Sequence, residues 1–278
     1  MEDELCSPWG NAVARPFGDA THRVYQMVSP EGNSVVRKVF RHGRAFRREK
    51  DALEFLHAAG VSGCPRVLAW RASPTGGEII MSHVAGKVPS GAVLSSERLW
   101  HQAGKILGAL HQLPLPVVDG LDLRQALKER LGVAEALAVS WCDSFERELL
   151  HWLSRRMESL KPRQRVFCHG DWVPRNWLWH NDALAFVDLE RSGPNAPEQD
   201  FVALHLECWQ RDHLGRDAFL EGYSAVGRPM DRGWLDVLVL LYLVGSVNWG
   251  LKSEETLRAA QARAALRGVF TGMRASHP

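Results

Sequence analysis

The sequence predicts an α+β protein built as two lobes, a small β-rich N-terminal lobe with one main helix and a larger, mostly helical C-terminal lobe. Three observations predict it. Period-two alternation fills the first third of the chain. Apolar residues recur at helical spacing over most of the remainder. Between the two patterns, residues 84–89 read VAGKVP and offer the Gly and Pro of a connection. The lobes are expected at 1–84 and 85–278.

In the first lobe Arg23–Val28 alternates, residues 29–33 (SPEGN) carry turn residues, and Ser34–Phe40 is a second strand, so a hairpin is expected. Residues 46–59 follow with Phe46, Leu53 and Leu56 at helical spacing, and Gly60 is a stop signal. A second hairpin is expected from 66–71 and 78–82 around a Ser-Pro-Thr-Gly-Gly turn. In the second lobe, helices are expected at 97–113, ended by Pro114, and at 123–137, 143–160, 200–210, 217–224, 233–251 and 254–269. The block 166–188 interrupts them with short strands.

The bulk numbers narrow the function. A chain of 278 residues, 45% hydrophobic and 24% charged, has an ordinary globular composition. Its formal charge of +2 gives no basis for a nucleic-acid partner. No apolar run is long enough to predict a membrane span, and 235–247 reads as a buried helix. The first residues, MEDELCSPWG, lack the basic and apolar regions of a signal peptide. The cysteines Cys6, Cys64, Cys142, Cys168 and Cys208 are scattered without zinc or redox spacing, so reduced thiols in a cytoplasmic protein are expected. The eleven tryptophans read mainly as packing residues.

The chemistry is concentrated in 166–188, VFCHGDWVPRNWLWHNDALAFVD. Asp171 follows His169-Gly170, Asn176 comes five residues later, and Asp188 ends an apolar run. Phosphoryl transfer from a nucleoside triphosphate needs this set. One carboxylate aligns and deprotonates the attacking hydroxyl, while an amide and a second carboxylate hold magnesium on the phosphates. Asp171 takes the first role, Asn176 and Asp188 the second, and His169 is read as holding the loop. A turn rich in Asp and Asn between two strands is the plainer alternative, but the spacing matches the kinase pattern H-x-D-x-x-x-x-N followed by a metal-binding Asp.

The His-Gly-Asp form and the match of HGDWVPRN to H-G-D-x-x-P-x-N resemble the aminoglycoside phosphotransferase (APH) family, small-molecule kinases with a protein-kinase-like fold. Asp188-Leu189-Glu190 fits the family's metal-binding segment, and Pro197-Glu-Gln-Asp200 fits its later P-x-x-D, which makes Asp200 a structural brace of the catalytic loop. The resemblance implies ATP, with GTP as the alternative, and Mg2+. In the first lobe it implies Lys38 as the phosphate-gripping lysine and Glu49 as its partner, with Glu54 a competitor and neighbouring basic residues able to exchange roles. Strand alternation sends Arg37 to the face opposite Lys38. Met81 would wall the adenine pocket, with the Ser82 carbonyl and Val84 amide at the adenine edge. The covering loop at 17–22 has one Gly, not G-x-G-x-x-G.

The implied acceptor is a small-molecule alcohol, lying against a helical insertion at 123–160 and the C-terminal helices. Candidate lining residues are Asp143, Glu190, Glu207, Trp209, Asp212, Trp249 and Glu255. A polycationic aminoglycoside would demand an acidic pocket, and the balanced charge lowers the weight of that substrate against a cyclic peptide antibiotic or a metabolite such as a sugar or amino alcohol. A catalytically silent pseudokinase and a protein kinase are the other readings. Ala196-Pro197-Glu198 spells the kinase A-P-E but follows Asp188 too closely for an activation loop. No membrane partner is expected, and either a monomer or a homodimer fits.

Overall fold

The computed structural model describes residues 15–16, 22–28, 32–115, 122–210 and 212–276. Most of the expected covering loop (17–21), much of the first turn (29–31) and Cys6 lie outside them. In chain order the elements are β1 (Arg15–Pro16), β2 (Arg23–Val28), β3 (Ser34–Phe40), α1 (Gly43–Ala58), β4 (Val67–Ala72) and β5 (Gly77–Ser82). Helices α2 (Gly91–Leu94), α3 (Glu97–Leu110), α4 (Leu123–Ala138) and α5 (Ser144–Ser159) follow. Strands β6 (Val166–Cys168), β7 (Trp177–His180), β8 (Ala183–Phe186) and β9 (Gly193–Asn195) precede α6 (Phe201–Ala203), α7 (His213–Ser224), α8 (Arg232–Lys252) and α9 (Thr256–Ser276). Packing divides the chain into two compact units. The first holds Met1–Leu113, His169–Gly193 and Asp212–Gly227; the second holds Pro114–Cys168, Pro194–Arg211 and Arg228–Pro278. The connection at 84–89 falls inside the first unit, which therefore carries the sheet together with the segment from His169 to Asp188.

In the first unit the strands form an antiparallel sheet in the order β1-β2-β3-β5-β4. Met27, Val35 and Ile80 bury together with Ala69 against them. Helix α1 starts three residues before its first apolar residue, because 43–45 contribute backbone turns and no apolar signal; Phe46, Ala52, Leu53 and Leu56 are its buried stripe. Gly60 has φ +73°, and the bonds Gly60 N–His57 O and Val61 N–Leu56 O close the last turn.

Helices α3 and α7 pack through glycine. A Cβ on Gly104 would lie 2.0 Å from the Phe219 carbonyl oxygen, and one on Gly222 would lie 2.1 Å from that of His101. Beside this seam the buried His111 Nδ1 and Tyr223 hydroxyl are 2.9 Å apart. Gly104→Ala must push two backbones apart and is expected to cost about 2–4 kcal/mol in a urea unfolding experiment. An unchanged midpoint would show that the helices slide freely.

The second unit is built around α8, which is longer than the apolar run read from the sequence. By length and composition it could cross a membrane, yet two thirds of its apolar window is buried within the protein. Leu235, Val237, Val239 and Leu240 are fully buried, and Asp236 on the same helix bonds Arg232 at 2.8 Å. It is the core helix of this unit, packed by α4, α5 and α9. The expected helix at 200–210 is α6 continued by a π-helical stretch over Leu204–Trp209. Cys64, Cys142, Cys168 and Cys208 are free thiols.

Candidate active site

The hairpin β7–β8 brings the polar residues together. Its two loop residues, Asn181 and Asp182, both take positive φ (46° and 60°), the left-handed pair that matches the twist of the flanking strands. Register pairs Trp177 with Phe186. Asn176 just before β7 and Val187 just after β8 are therefore neighbours, joined by the bond Val187 N–Asn176 O at 3.0 Å, and Asp188 comes next. Asp188 itself adopts φ 69°. Pro174–Asn176 form one 3-10 turn, with Pro174 supplying the fixed φ of its first position. Upstream, Gly170 has φ +83°, and a Cβ there would lie 2.2 Å from the Arg191 carbonyl oxygen. His169 is fully buried; its Nε2 donates to the Val187 carbonyl at 3.1 Å, and its Nδ1 accepts from the Asp171 amide at 3.3 Å. Its ring thus ties the β8 end of the hairpin to the loop.

The Asn176 Nδ2 group donates to the Asp171 carbonyl at 2.8 Å and to Asp171 Oδ2 at 3.1 Å. The Arg175 guanidinium donates to Asp171 Oδ1 at 2.7 Å. Across the cavity, Lys38 Nζ lies 2.6 Å from Glu49 Oε2, 2.6 Å from Asp188 Oδ1 and 3.4 Å from Glu190 Oε2. Glu54, the competitor of Glu49, pairs with Lys50 at 3.0 Å. Arg37 turns to the other face and bonds Glu78 at 2.7 Å. Lys38, Asp171, Asn176 and Asp188 all line one cavity of about 550 Å³.

The sheet contributes an apolar wall to this cavity. Val24 stands opposite Lys38, and Val36 opposite Met81, so the pleat puts these side chains on one face. Leu178 and Val187 from the hairpin line the same space, as do Ser82 and Val84. The Ser82 amide is already bonded to the Arg66 carbonyl at 2.8 Å, while the Val84 amide has no partner among the described residues.

One ammonium here faces three carboxylates. Burial opposes the charge on Lys38, but Glu49 and Asp188 outweigh it and raise its pKa. Burial also opposes ionisation of Asp188, and Lys38 overrides it and holds the carboxyl below its usual value. Glu49 is the most buried of the three, and its desolvation pushes it up to about 7 despite Lys38. A folded-state value above the unfolded one means that the unfolded chain releases this proton first, so Glu49 weakens folding as pH rises from 4.5 to about 7. Glu49→Gln is expected to flatten that part of the stability–pH profile. Parallel wild-type and variant profiles would contradict the assignment.

Glu190, expected among the acceptor residues, belongs to this cluster and lines the same cavity. Its Oε2 is 2.8 Å from His22 Nε2. Burial lowers the His22 pKa and favours the neutral ring, against the opposing pull of Glu190. Sequence reasoning missed His22 as a site residue; it is the described end of the covering loop, and its partner is 168 positions away. Asp143, another expected lining residue, lies in the second unit. It caps α5 in a capping box with Glu146, and its carboxylate pairs with Arg263 at 3.3 Å and with Arg267. Asp212 caps α7 through Gly215 N at 2.8 Å, which starts that helix four residues earlier than its apolar pattern. Glu255 pairs with Arg258 at 3.5 Å, and the same Arg258 stacks over the half-exposed Trp249. Trp209 is buried against Phe201, and Glu207 is exposed. Asp200 is buried in the second unit and hydrogen-bonds the Cys168 thiol.

A lysine on a β-sheet paired with a glutamate on the following helix, facing a hairpin flanked by Asp171, Asn176 and Asp188, is the layout of a kinase-like phosphotransferase. Solved structures share the fold. The GDP and kanamycin complex of APH(2")-IIia matches with a TM-score of 0.71 at 15% identity, over 94% of this chain and 93% of that one. Amicoumacin kinase hAmiN in complex with AMP-PNP, Ca2+ and Ami matches at 0.68 and 15%, over 92% and 88%. Macrolide 2'-phosphotransferase MphH from Brachybacterium faecium, as apoenzyme, matches at 0.65 and 17%, over 94% and 95%. No curated protein sequence matches. The profile of the APH phosphotransferase enzyme family matches residues 13–238, and the chain belongs to that family. It is a small-molecule phosphotransferase that acts on a hydroxyl group.

Proposed function

We propose that this enzyme transfers the γ-phosphoryl group of ATP, with Mg2+, to a hydroxyl of a small molecule, with an antibiotic as the leading acceptor class. The observation that carries this reading is the 2.6 Å contact between Lys38 Nζ and Asp188 Oδ1, which joins the phosphate-gripping strand to the metal-binding hairpin inside one cavity. The apolar wall of Val24, Val36 and Met81 suits a purine, and the Val84 amide, without a partner among the described residues, suits its acceptor edge. Lys38 would hold phosphate oxygens. The donor set fits magnesium: Asn176 spends its Nδ2 on Asp171, which leaves Oδ1 as a neutral ligand, and Asp188 supplies a carboxylate. When bound, the ion neutralises phosphate charge. Asp171 would orient the acceptor hydroxyl and take its proton.

Antibiotic phosphorylation is supported by the aminoglycoside, amicoumacin and macrolide enzymes that share the fold. Asp143, Asp212 and Glu255 are engaged within their own units, which leaves fewer carboxylates for a polycation and favours a less cationic antibiotic or a metabolite such as a sugar or amino alcohol. The test is a panel of antibiotics and hydroxylated metabolites incubated with enzyme, Mg2+ and either ATP or GTP, read by mass for a gain of one phosphate. Nucleotide binding without turnover on any compound would favour a pseudokinase.

A further inference from the structure

Arg175 stands at a variable position of H-G-D-x-x-P-x-N, yet its guanidinium is held on Asp171 while its side chain stays half exposed and lines the cavity. A purely structural ion pair has no need to sit on the carboxylate that aligns the acceptor. The neighbouring charge explains why a second cation is useful. Lys38 is shared among Glu49, Asp188 and Glu190, so its charge is already divided before any phosphate arrives. Charge on the three equatorial oxygens of the migrating phosphoryl must be met by some positive group near Asp171.

We propose that Arg175 is a further catalytic residue, an arginine finger carried within the catalytic loop that binds the migrating phosphoryl group; this rests on the phosphotransfer reading above. The acceptor oxygen bonds to phosphorus as the bond from phosphorus to the β,γ-bridging oxygen breaks. The hydroxyl proton passes to Asp171, and ADP leaves with the electron pair. The equatorial phosphoryl oxygens compete with Asp171 Oδ1 for the Arg175 guanidinium, which turns to them as their charge comes within reach. Arg175 follows Asp171 by four residues and sits in the 3-10 turn Pro174–Asn176, on the cavity wall beside that carboxylate.

The experiment compares the binding of MgADP alone with MgADP plus aluminium fluoride, a mimic of the transferring phosphoryl, by calorimetry on the full chain. Wild type is expected to bind the fluoride complex about tenfold or more tighter than MgADP. Arg175→Ala and Arg175→Gln are expected to keep MgADP affinity within about twofold and lose that gain, with Arg175→Lys restoring part of it. Because the side chain is half exposed, all three should fold, and Arg175→Gln or Arg175→Lys carries the test if the alanine variant does not. A variant that keeps the fluoride gain overturns the inference. So does an equal fall in affinity for both ligands, the mark of a structural role. Wild type that binds MgADP without a fluoride gain overturns the inference and leaves the nucleotide reading standing, whereas wild type that binds no nucleotide overturns both.

Discussion

Asp171→Asn is expected to slow phosphoryl transfer by about a thousandfold while leaving nucleotide affinity within about threefold of wild type. Both Asp171 carboxylate oxygens accept hydrogen bonds in the structure, Oδ1 from Arg175 and Oδ2 from Asn176. An asparagine has one carbonyl oxygen for these two donors, and its own amide group must face one of them. The substitution therefore disturbs the orientation of Arg175 or Asn176 and removes the proton acceptor as well. Lys38, Glu49 and Asp188 do not bond Asp171, so the phosphate grip should persist. Single-turnover transfer from ATP, paired with a binding titration, separates the two effects. Full activity in the variant would contradict the role of Asp171; a parallel loss of binding would mean that Asp171 holds the nucleotide.

Gly170→Ala is expected to lower stability by about 3 kcal/mol and the melting temperature by about 5–10 °C. Two costs add. At φ +83° an L side chain is strained, by roughly 1 kcal/mol. The added Cβ would also lie 2.2 Å from the Arg191 carbonyl oxygen and 2.9 Å from its Cβ, where backbone must move to make room. The movement displaces Arg191, the neighbour of Glu190, and so reaches the cluster around Lys38. Activity should fall by more than the loss of folded protein explains. Gly132→Ala is the control, because a Cβ there meets nothing within 4 Å on an α-helix, and it should be neutral or stabilising. Equal melting temperatures for the two alanine variants would sink the argument for Gly170.

What was legible in the sequence was local. Arg23–Val28 and Ser34–Phe40 were read at their observed bounds because alternation and turn residues are neighbours in the chain. Lys38 and Glu49 were readable because a strand and the next helix are joined by a short link. Asp171, Asn176 and Asp188 were readable because one hairpin with a two-residue loop connects them. The partners of Glu190 were not legible for the opposite reason: His22 and Lys38 are more than 150 residues away, and nothing near Glu190 announces them. Asp143 and Asp212 were read only as lining residues, and the cap that each forms went unread although the residues after it signal that role. The π-helical stretch at Leu204–Trp209 left no periodic signature distinct from an ordinary helix.

The tight reversal at Asn181-Asp182 limits how this enzyme can diversify. One residue inserted there would slip β7 against β8 by half a pleat and send every following side chain to the opposite surface. Asn176 and Asp188 would then part company, and the machinery would fail whatever substrate was offered. New acceptors must therefore be accommodated by change elsewhere in the chain, with the length of this reversal held constant.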